Sequence, residues 1–151
     1  MASAKKIRLG TIEDHAMHGY THKFVVKHSD LSAAATTETV QLLDDMIAGM
    51  VIEKVAYKVI TQFDGGATSE LVVDVGLDLD AGSDDPDKFI DAVSVHADAT
   101  PVDYSIGTGT EYILLEGASL EVLFTATGAN ISVLDAGEIH IFARIIDINK
   151  V

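Results

Sequence analysis

From residue 51 onward the chain alternates between apolar and polar positions with a period of two. In the segment VIEKVAYKVITQF, which begins at residue 51, one face is apolar and the other carries Lys54, Lys58 and Gln62. The segments ELVVDVGLDLD, SLEVLFTAT and EIHIFARIID follow the same rule. The side chains predicted to point inward are Val51, Val55, Tyr57, Val59, Phe63, Leu71, Val73, Val75, Leu77, Leu79, Leu120, Val122, Phe124, Ala126, Ile139, Ile141, Ala143 and Ile145. Such alternation is typical of β-strands with one buried face and one solvated face.

The turn residues between these segments predict how the strands connect. The stretch DGGATS separates two alternating segments and predicts an antiparallel hairpin of residues 51–63 with 69–79, turning at residues 64–68. In DDPDKF, Asp85 is a candidate helix cap and Pro86 suits a first helical position, which predicts one helical turn before Phe89. Strands with turn signals at regular spacing indicate an all-β fold, an antiparallel β-sandwich of jelly-roll-like form.

The segment 38–50 fits two descriptions. Val40, Leu43, Ile47 and Met50 have helical spacing and are compatible with an amphipathic helix. The threonines at its start are β-formers, and TTETVQLL also fits a strand followed by a loop. We favour the strand.

Charge is distributed unevenly along the chain. The net charge is −14, yet residues 1–28 hold five of the ten Lys and Arg residues and only two carboxylates, so this segment is +3. The other 123 residues are −17. An acidic body is repelled by nucleic acid and by anionic membranes, so we expect neither as a partner.

The N-terminal segment also contains closely spaced histidines in the stretch DHAMHGYTHKF. On a helix, His15, His18 and His22 would share one face, as a zinc site requires. Gly19 weakens such a helix, and the following residues alternate as a strand. On a strand, His22 and His28 lie about 20 Å apart, too far to share a metal. We therefore expect no metal site here.

We interpret residues 1–22 as an extended basic arm and residues 23–151 as the β-sandwich domain. The arm is expected to be weakly structured in the free protein and to become ordered against an acidic surface of a neighbouring protein. Its histidines would gain charge below about pH 6.5 and tighten that contact. The predicted partner-interface residues are Lys5, Lys6, Ile7, Arg8, Leu9, His15, His18 and His22.

The sequence contains no signature of catalysis. It has no phosphate-binding glycine loop with its lysine and no G-x-S-x-G motif, and it has no cysteine. An acidic cluster at residues 78–87 suits calcium by its oxygen ligands, but it departs from the EF-hand order, and we interpret it as a solvated loop. We expect a protein that is not an enzyme and has no cofactor. The longest apolar segments are too short to span a bilayer, and residues 1–6 lack the apolar core of a signal peptide.

Several segments together resemble a known class of proteins. These are TTETVQLLDDMIAG, MVIEKVAYKVITQFDGG, SELVVDVGLDLD and LEVLFTATGANISVLDAGEIHIFARIID. They resemble the small β-sandwich virion proteins of tailed bacteriophages, over roughly residues 20–148, most specifically in FTATGANIS-x-L-x-AGE. The resemblance implies a head decoration (cement) protein that is made in the host cytoplasm and binds the outside of the capsid. It also implies the major capsid protein as partner and a homotrimer, and it carries over no active-site residues.

A second class of function is a phage tail or fibre module that binds host-surface glycan. Such a module needs exposed aromatic side chains, for which Tyr57, Tyr104 and Tyr112 are the dispersed candidates. A third possibility, a structural protein outside viruses, has no positive feature in the sequence.

Overall fold

The computed structural model describes residues 5–8, 19–97, 104–106 and 111–151. These residues form ten β-strands and three short 3₁₀ turns. In chain order the strands are β1 Lys5–Arg8, β2 His22–Lys27, β3 Thr37–Met46, β4 Met50–Asp64, β5 Glu70–Leu79, β6 Asp85–Ser94, β7 Tyr104–Ile106, β8 Tyr112–Ile113, β9 Ala118–Thr127 and β10 Ala136–Asp147. The part of the chain described contains no helix long and apolar enough to cross a membrane.

The strands form two antiparallel sheets that face each other across one core. The six-stranded sheet has the order β1-β2-β10-β4-β7, and β8 also pairs with β4. The four-stranded sheet has the order β3-β9-β5-β6. β7 and β8 both pair with β4 and together occupy one position in the sheet. Counted in this way, the strands from β2 to β10 have the order of a jelly roll, in which each sheet contains strands from both ends of the chain. The predicted all-β, jelly-roll-like sandwich is therefore confirmed.

The core is built from the alternating positions of both sheets. On the four-stranded sheet, Leu71, Val73, Val75 and Leu77 of β5 are all buried in it. On the six-stranded sheet, Ile139, Ile141 and Ala143 of β10 are also buried in this core, as the alternation predicts. One exception has a local cause: a bulge between β4 and β10 shifts the alternation, so Ile52 enters the core although the sequence pattern favours Val51.

The predicted hairpin of 51–63 with 69–79 is wrong. β4 pairs with β10, β7 and β8, whereas β5 pairs with β9 and β6, so the turn after Asp64 carries the chain from one sheet to the other. Two strands that each bury one face can pair edge to edge or face each other across the core. The alternation is identical in both arrangements, and the sequence pattern therefore did not separate them.

The predicted helical turn at Asp85 is also wrong, because β6 begins at that residue. β6 is the edge strand of its sheet, and an edge strand tolerates the missing N–H of Pro86. The start of β6 lies so close to β5 that a Cβ at Gly76 would collide with the backbone of Asp85 and Pro86. For segment 38–50 the favoured strand is confirmed, and β3 extends to Met46, into the expected loop.

Candidate functional site

An open groove of about 380 Å³ lies at one end of the sandwich. It lies where β3 ends and β4 begins, next to the last residues of β10 and the first residue of β2. Leu43, Met46, Met50 and Ile145 contribute its apolar lining. We call this feature the end groove.

The predicted interface residue His22 lines the end groove. Its Nδ1 lies 2.8 Å from the hydroxyl of Thr21, and its ring stacks on that of Phe24 with centroids 5.9 Å apart. In the β1–β2 pairing, Arg8 is the residue opposite His22. The last residue of β1 is therefore positioned beside the strand residue that lines the groove.

The end groove is acidic. Asp44, Asp45 and Asp147 line it together with a single described ammonium group, that of Lys150. Burial raises the pKa of Asp147, but hydrogen bonds from Asn149 and the nearby Lys150 ammonium outweigh burial and leave this pKa below its ordinary value. Three carboxylates in one groove favour a cationic group from a binding partner.

An exposed apolar surface lies next to the groove. Two hydrogen bonds of Gly49 join the β3–β4 turn to neighbouring segments. The Gly49 N–H donates to Leu114 O, in the segment after β8, at 2.8 Å. The Ile148 N–H, in the C-terminal turn, donates to Gly49 O at 3.2 Å. These three segments carry large apolar side chains that solvent reaches, with Leu115 83% exposed. We call this surface the apolar tip, and it consists of Ile47, Ile113, Leu115 and Ile148. Clustered exposed apolar residues are typical of protein-binding surfaces.

The other predicted interface residues are only partly described. Lys5, Lys6, Ile7 and Arg8 form β1, which pairs antiparallel with β2 at the edge of the six-stranded sheet. This part of the predicted arm is thus a strand of the domain's own sheet. The other three, Leu9, His15 and His18, lie outside the described residues.

The structure assigns the charge asymmetry of the sequence to the two sheets. The six-stranded sheet contains eight cationic residues, Lys5, Lys6, Arg8, Lys23, Lys27, Lys54, Lys58 and Arg144, and four carboxylates, Glu53, Asp64, Glu138 and Asp147. The four-stranded sheet contains Lys88 and ten carboxylates. Within these strands the net charges are +4 and −9.

The outer face of the six-stranded sheet carries most of this positive charge. Around the small apolar contact of Tyr20, Ala56 and Phe142, the alternation points cationic side chains toward solvent. We call it the basic face; its cationic residues are Lys23, Lys27, Lys54, Lys58 and Arg144, and Glu138 and His140 also lie on it. Several of them are held in place by their neighbours: the ammonium of Lys54 lies 4.5 Å from the centroid of the Tyr20 ring, and Arg144 pairs with Glu53.

The outer face of the four-stranded sheet has the opposite charge. We call it the acidic face; it carries Glu70, Asp74, Asp78 and Glu121, and β3, β5 and β9 contain no Lys or Arg. Partial burial, followed by the charges of Asp78 and Asp84, raises the pKa of Glu121. Burial and the neighbouring carboxyl of Asp84 likewise raise the pKa of Asp78. The carboxylates of this face repel one another because no cation of these three strands compensates them.

Neutralising one carboxylate on each face is expected to change stability in opposite directions. A hydrogen bond with His140, followed by the charge of Lys27, lowers the pKa of Glu138, whose Oε1 lies 2.6 Å from His140 Nε2. Glu138 therefore stabilises the fold above its ordinary pKa of 4.5, and that contribution is lost as the pH falls through the lowered value. The charge of Glu121 has the opposite effect on stability, because the raised pKa of Glu121 means that its charged form is disfavoured in the folded state.

We therefore expect Glu121→Gln to raise the free energy of unfolding at pH 7 by about 0.5 kcal/mol, a gain limited by solvent screening. This gain should disappear below pH 4.5, where a protonated Glu121 is already neutral. Glu138→Gln, the matched control, should lower the free energy of unfolding at pH 7. Urea unfolding at pH 7 and pH 4 measures both, and a loss of stability in Glu121→Gln would contradict the charge repulsion inferred for the acidic face.

The acidic cluster at residues 78–87 does not form a metal site among the described residues, where no group of three or more His, Asp or Glu has metal-binding geometry. The carboxyls of Asp78 and Asp84 share a hydrogen bond. The Asp84 Oδ1 also accepts a hydrogen bond from the Leu79 N–H at 3.2 Å. These contacts close the loop between β5 and β6.

The aromatic side chains considered for glycan binding do not form a shared platform in the described structure. Tyr57 is buried in the core and is not available for stacking on a sugar. Tyr112 is half-buried, and the Lys88 ammonium lies 4.9 Å from its ring centroid. The side chain of Tyr104 lies outside the described part.

No protein-family model and no curated protein matches the chain. Among solved structures, the chain is similar to the CBM22-1 xylan-binding domain of Xyn10C from Paenibacillus barcinonensis, with 17% identity and a TM-score of 0.34. The match covers 82% of this chain and 63% of that one, so the chain spans less than two thirds of its length. A similarity at this level says nothing about ligands.

Two features of the site were not predicted from the sequence. Ile47, Ile113, Leu115 and Ile148 come from three separate segments, and their adjacency depends on the hydrogen bonds between turns. The division of charge between two sheets depends on strand order. One signal was available for the apolar tip, because the apolar residues Ile113 and Leu115 are two positions apart in the sequence and no polar residue separates them.

Proposed function

We propose that this protein is a non-catalytic structural virion protein, a decoration (cement) protein that binds the outside of a tailed-phage head. One observation carries the proposal: the apolar tip and the acidic end groove lie together at one end of a jelly-roll sandwich. Viral capsid proteins often use jelly rolls, an analogy of fold that supports the proposal without establishing it.

The end of the sandwich has the chemistry of a protein-binding surface. The apolar tip provides area that a partner would cover, and fully burying one leucine side chain contributes about 1.5–3 kcal/mol. The carboxylates of the end groove provide orientation by pairing with a lysine or arginine of the partner. The two sheets behind this surface give a stiff body that transmits load without any chemical step.

In this proposal the partner is the major capsid protein, and the end groove and apolar tip face the shell. The arm contributes through β1, whose last residue Arg8 lies opposite His22 in the strand pairing. Lys5, Lys6, Ile7, Leu9, His15 and His18 stay predicted interface residues, and the homotrimer implied by the resemblance also stays a prediction.

Leu115→Asp tests the proposal directly. Leu115 is 83% exposed, so the free protein should keep its stability, whereas a carboxylate in the buried contact should weaken attachment at least about tenfold. The purified protein would be added to shells assembled from the capsid protein of the same genome, and occupancy would be measured by cryo-electron microscopy.

Val133→Asp is the matched control, because Val133 is also an exposed apolar residue but contacts the turn at Gly66, away from the apolar tip. It should leave occupancy unchanged. Full occupancy with Leu115→Asp would show that the apolar tip is not the attachment surface. Failure of the unmodified protein to bind any shell would overturn the proposed function itself.

A further inference from the structure

The basic face and the acidic face lie on opposite sides of the same sandwich. Each carries charge of one predominant sign, and together they account for much of the charge asymmetry of the chain. Two faces of opposite sign on one molecule are complementary between copies of that molecule. A second copy therefore supplies a partner of the required chemistry for each face.

We propose that copies of this protein associate head to tail, with the basic face of one copy on the acidic face of the next. The chain itself provides both halves of the contact. This association does not depend on the proposed role in a virus particle, because it is a property of the isolated protein.

The spacing of the charges agrees between the two faces. On the basic face, Lys54 and Lys58 of β4 are four residues apart, and so are Lys23 and Lys27 of β2. On the acidic face, Glu70, Asp74 and Asp78 of β5 repeat with the same interval. Four strand residues span about 13 Å, so a row of ammonium groups on one copy matches the interval of a row of carboxylates on the next.

Apolar side chains lie among the charges and can be buried in the same contact. On the basic face, Ile60 is 44% exposed and Val25 is half-buried. On the acidic face, Val72 and Leu123 are half-buried. Four or five strands of this length present a face of roughly 600 Å², somewhat below the 800 Å² per partner of a standard stable interface. We therefore expect weak association that depends strongly on the charges.

The position of the faces determines the kind of assembly. Because the two faces are on opposite sides of the sandwich, each new copy continues the series in the same direction, and the series does not close. Its size should grow with protein concentration. A closed trimer requires binding faces inclined to each other, so this contact differs from the homotrimer that the resemblance implies.

Sedimentation velocity of the purified protein at two ionic strengths tests the association. Near 0.01 M salt, where charges interact over about 30 Å, we expect species that grow with concentration. Near 1 M salt, where that distance is about 3 Å, we expect the monomer. A protein that stays monomeric at low salt and high concentration would overturn the proposal.

Charge-reversal variants identify the faces. The basic-face variant is Lys23→Glu with Lys58→Glu, and the acidic-face variant is Asp78→Lys with Glu121→Lys. Each variant alone should lose self-association, with the apparent dissociation constant raised at least about tenfold. Lys150→Glu and Asp135→Lys, which are exposed and belong to neither face, are the controls and should associate as the unmodified protein does.

Mixing the two variants gives the sharpest result. The basic-face variant keeps an intact acidic face and the acidic-face variant keeps an intact basic face, and their substituted positions again carry opposite charges, so the mixture should regain the association that each variant alone has lost. Overturning results are a variant that associates normally, a mixture that does not pair, or a discrete trimer insensitive to both variants. Leu115→Asp should leave this association unchanged, so the failure of the proposed shell attachment and the failure of this proposal are distinguishable.

Discussion

Val75→Asp is expected to leave the protein unfolded or close to unfolding at room temperature. Val75 lies in the middle of β5 with none of its surface exposed, and it pairs with Val122 of β9 on one side and Ile90 of β6 on the other. A carboxylate at this position has no described cation within the core to pair with. An uncompensated buried charge costs about 3–5 kcal/mol, against a total stability of about 5–15 kcal/mol for a typical domain.

Val72→Asp is the matched control on the same strand. Val72 points to the outer face and is only half-buried, so its replacement should cost about 1 kcal/mol, part of it from repulsion by the acidic face. Urea unfolding followed by circular dichroism measures both variants. If Val75→Asp stays within 1 kcal/mol of Val72→Asp, the side chain of Val75 does not lie in the core between the two sheets.

Gly65→Ala is expected to lose about 2–5 kcal/mol of unfolding free energy. Gly65 has φ +145°, a backbone conformation open almost only to glycine. A Cβ there would lie 2.5 Å from the carbonyl oxygen of Val133 and 2.6 Å from the backbone nitrogen of Asp135. These are backbone atoms at the entry to β10, so the collision is relieved only by moving the crossing between the two sheets.

Gly66→Ala is the control at the adjacent residue. Gly66 has φ +57°, which an alanine adopts at a cost of about 1–2 kcal/mol. The atoms nearest to a Cβ added at Gly66 belong to the side chain of Val133 and not to the backbone. Thermal unfolding of both variants under the same conditions gives the comparison. Equal losses for the two would mean that the turn does not cross between the sheets as tightly as described.

The crossing at Gly65 matters for function because it assigns β4 and β5 to different sheets. If these two strands formed a hairpin, the lysines of β4 and the carboxylates of β5 would lie on one sheet and partly neutralise each other. In the jelly roll they are on opposite sides of the molecule. The separation of the β4 lysines from the β5 carboxylates, which the two faces and the proposed association of copies require, therefore depends on this connection.

The location of positive charge shows the same dependence on topology. The sequence suggested a basic arm on an acidic body, because half of the cations lie in residues 1–28. In the structure, Lys23 and Lys27 belong to β2 and share the basic face with Lys54, Lys58 and Arg144, which are distant in sequence. The cations near the N-terminus thus contribute to a sheet surface.

The sequence by itself determined the fold class, most of the strands and most of the core of this protein. The alternation of β5, β9 and β10 assigned their inward faces correctly, because a period of two is a local property of an extended chain. The sequence did not determine which strands pair, since one buried face fits either a hairpin or a crossing between sheets. Only the tertiary structure decided that β4 and β5 belong to different sheets, that the β3–β4 turn is joined to the segment after β8, and that charge divides between two sheets. Each of these depends on contacts between residues distant in sequence, which no local pattern records.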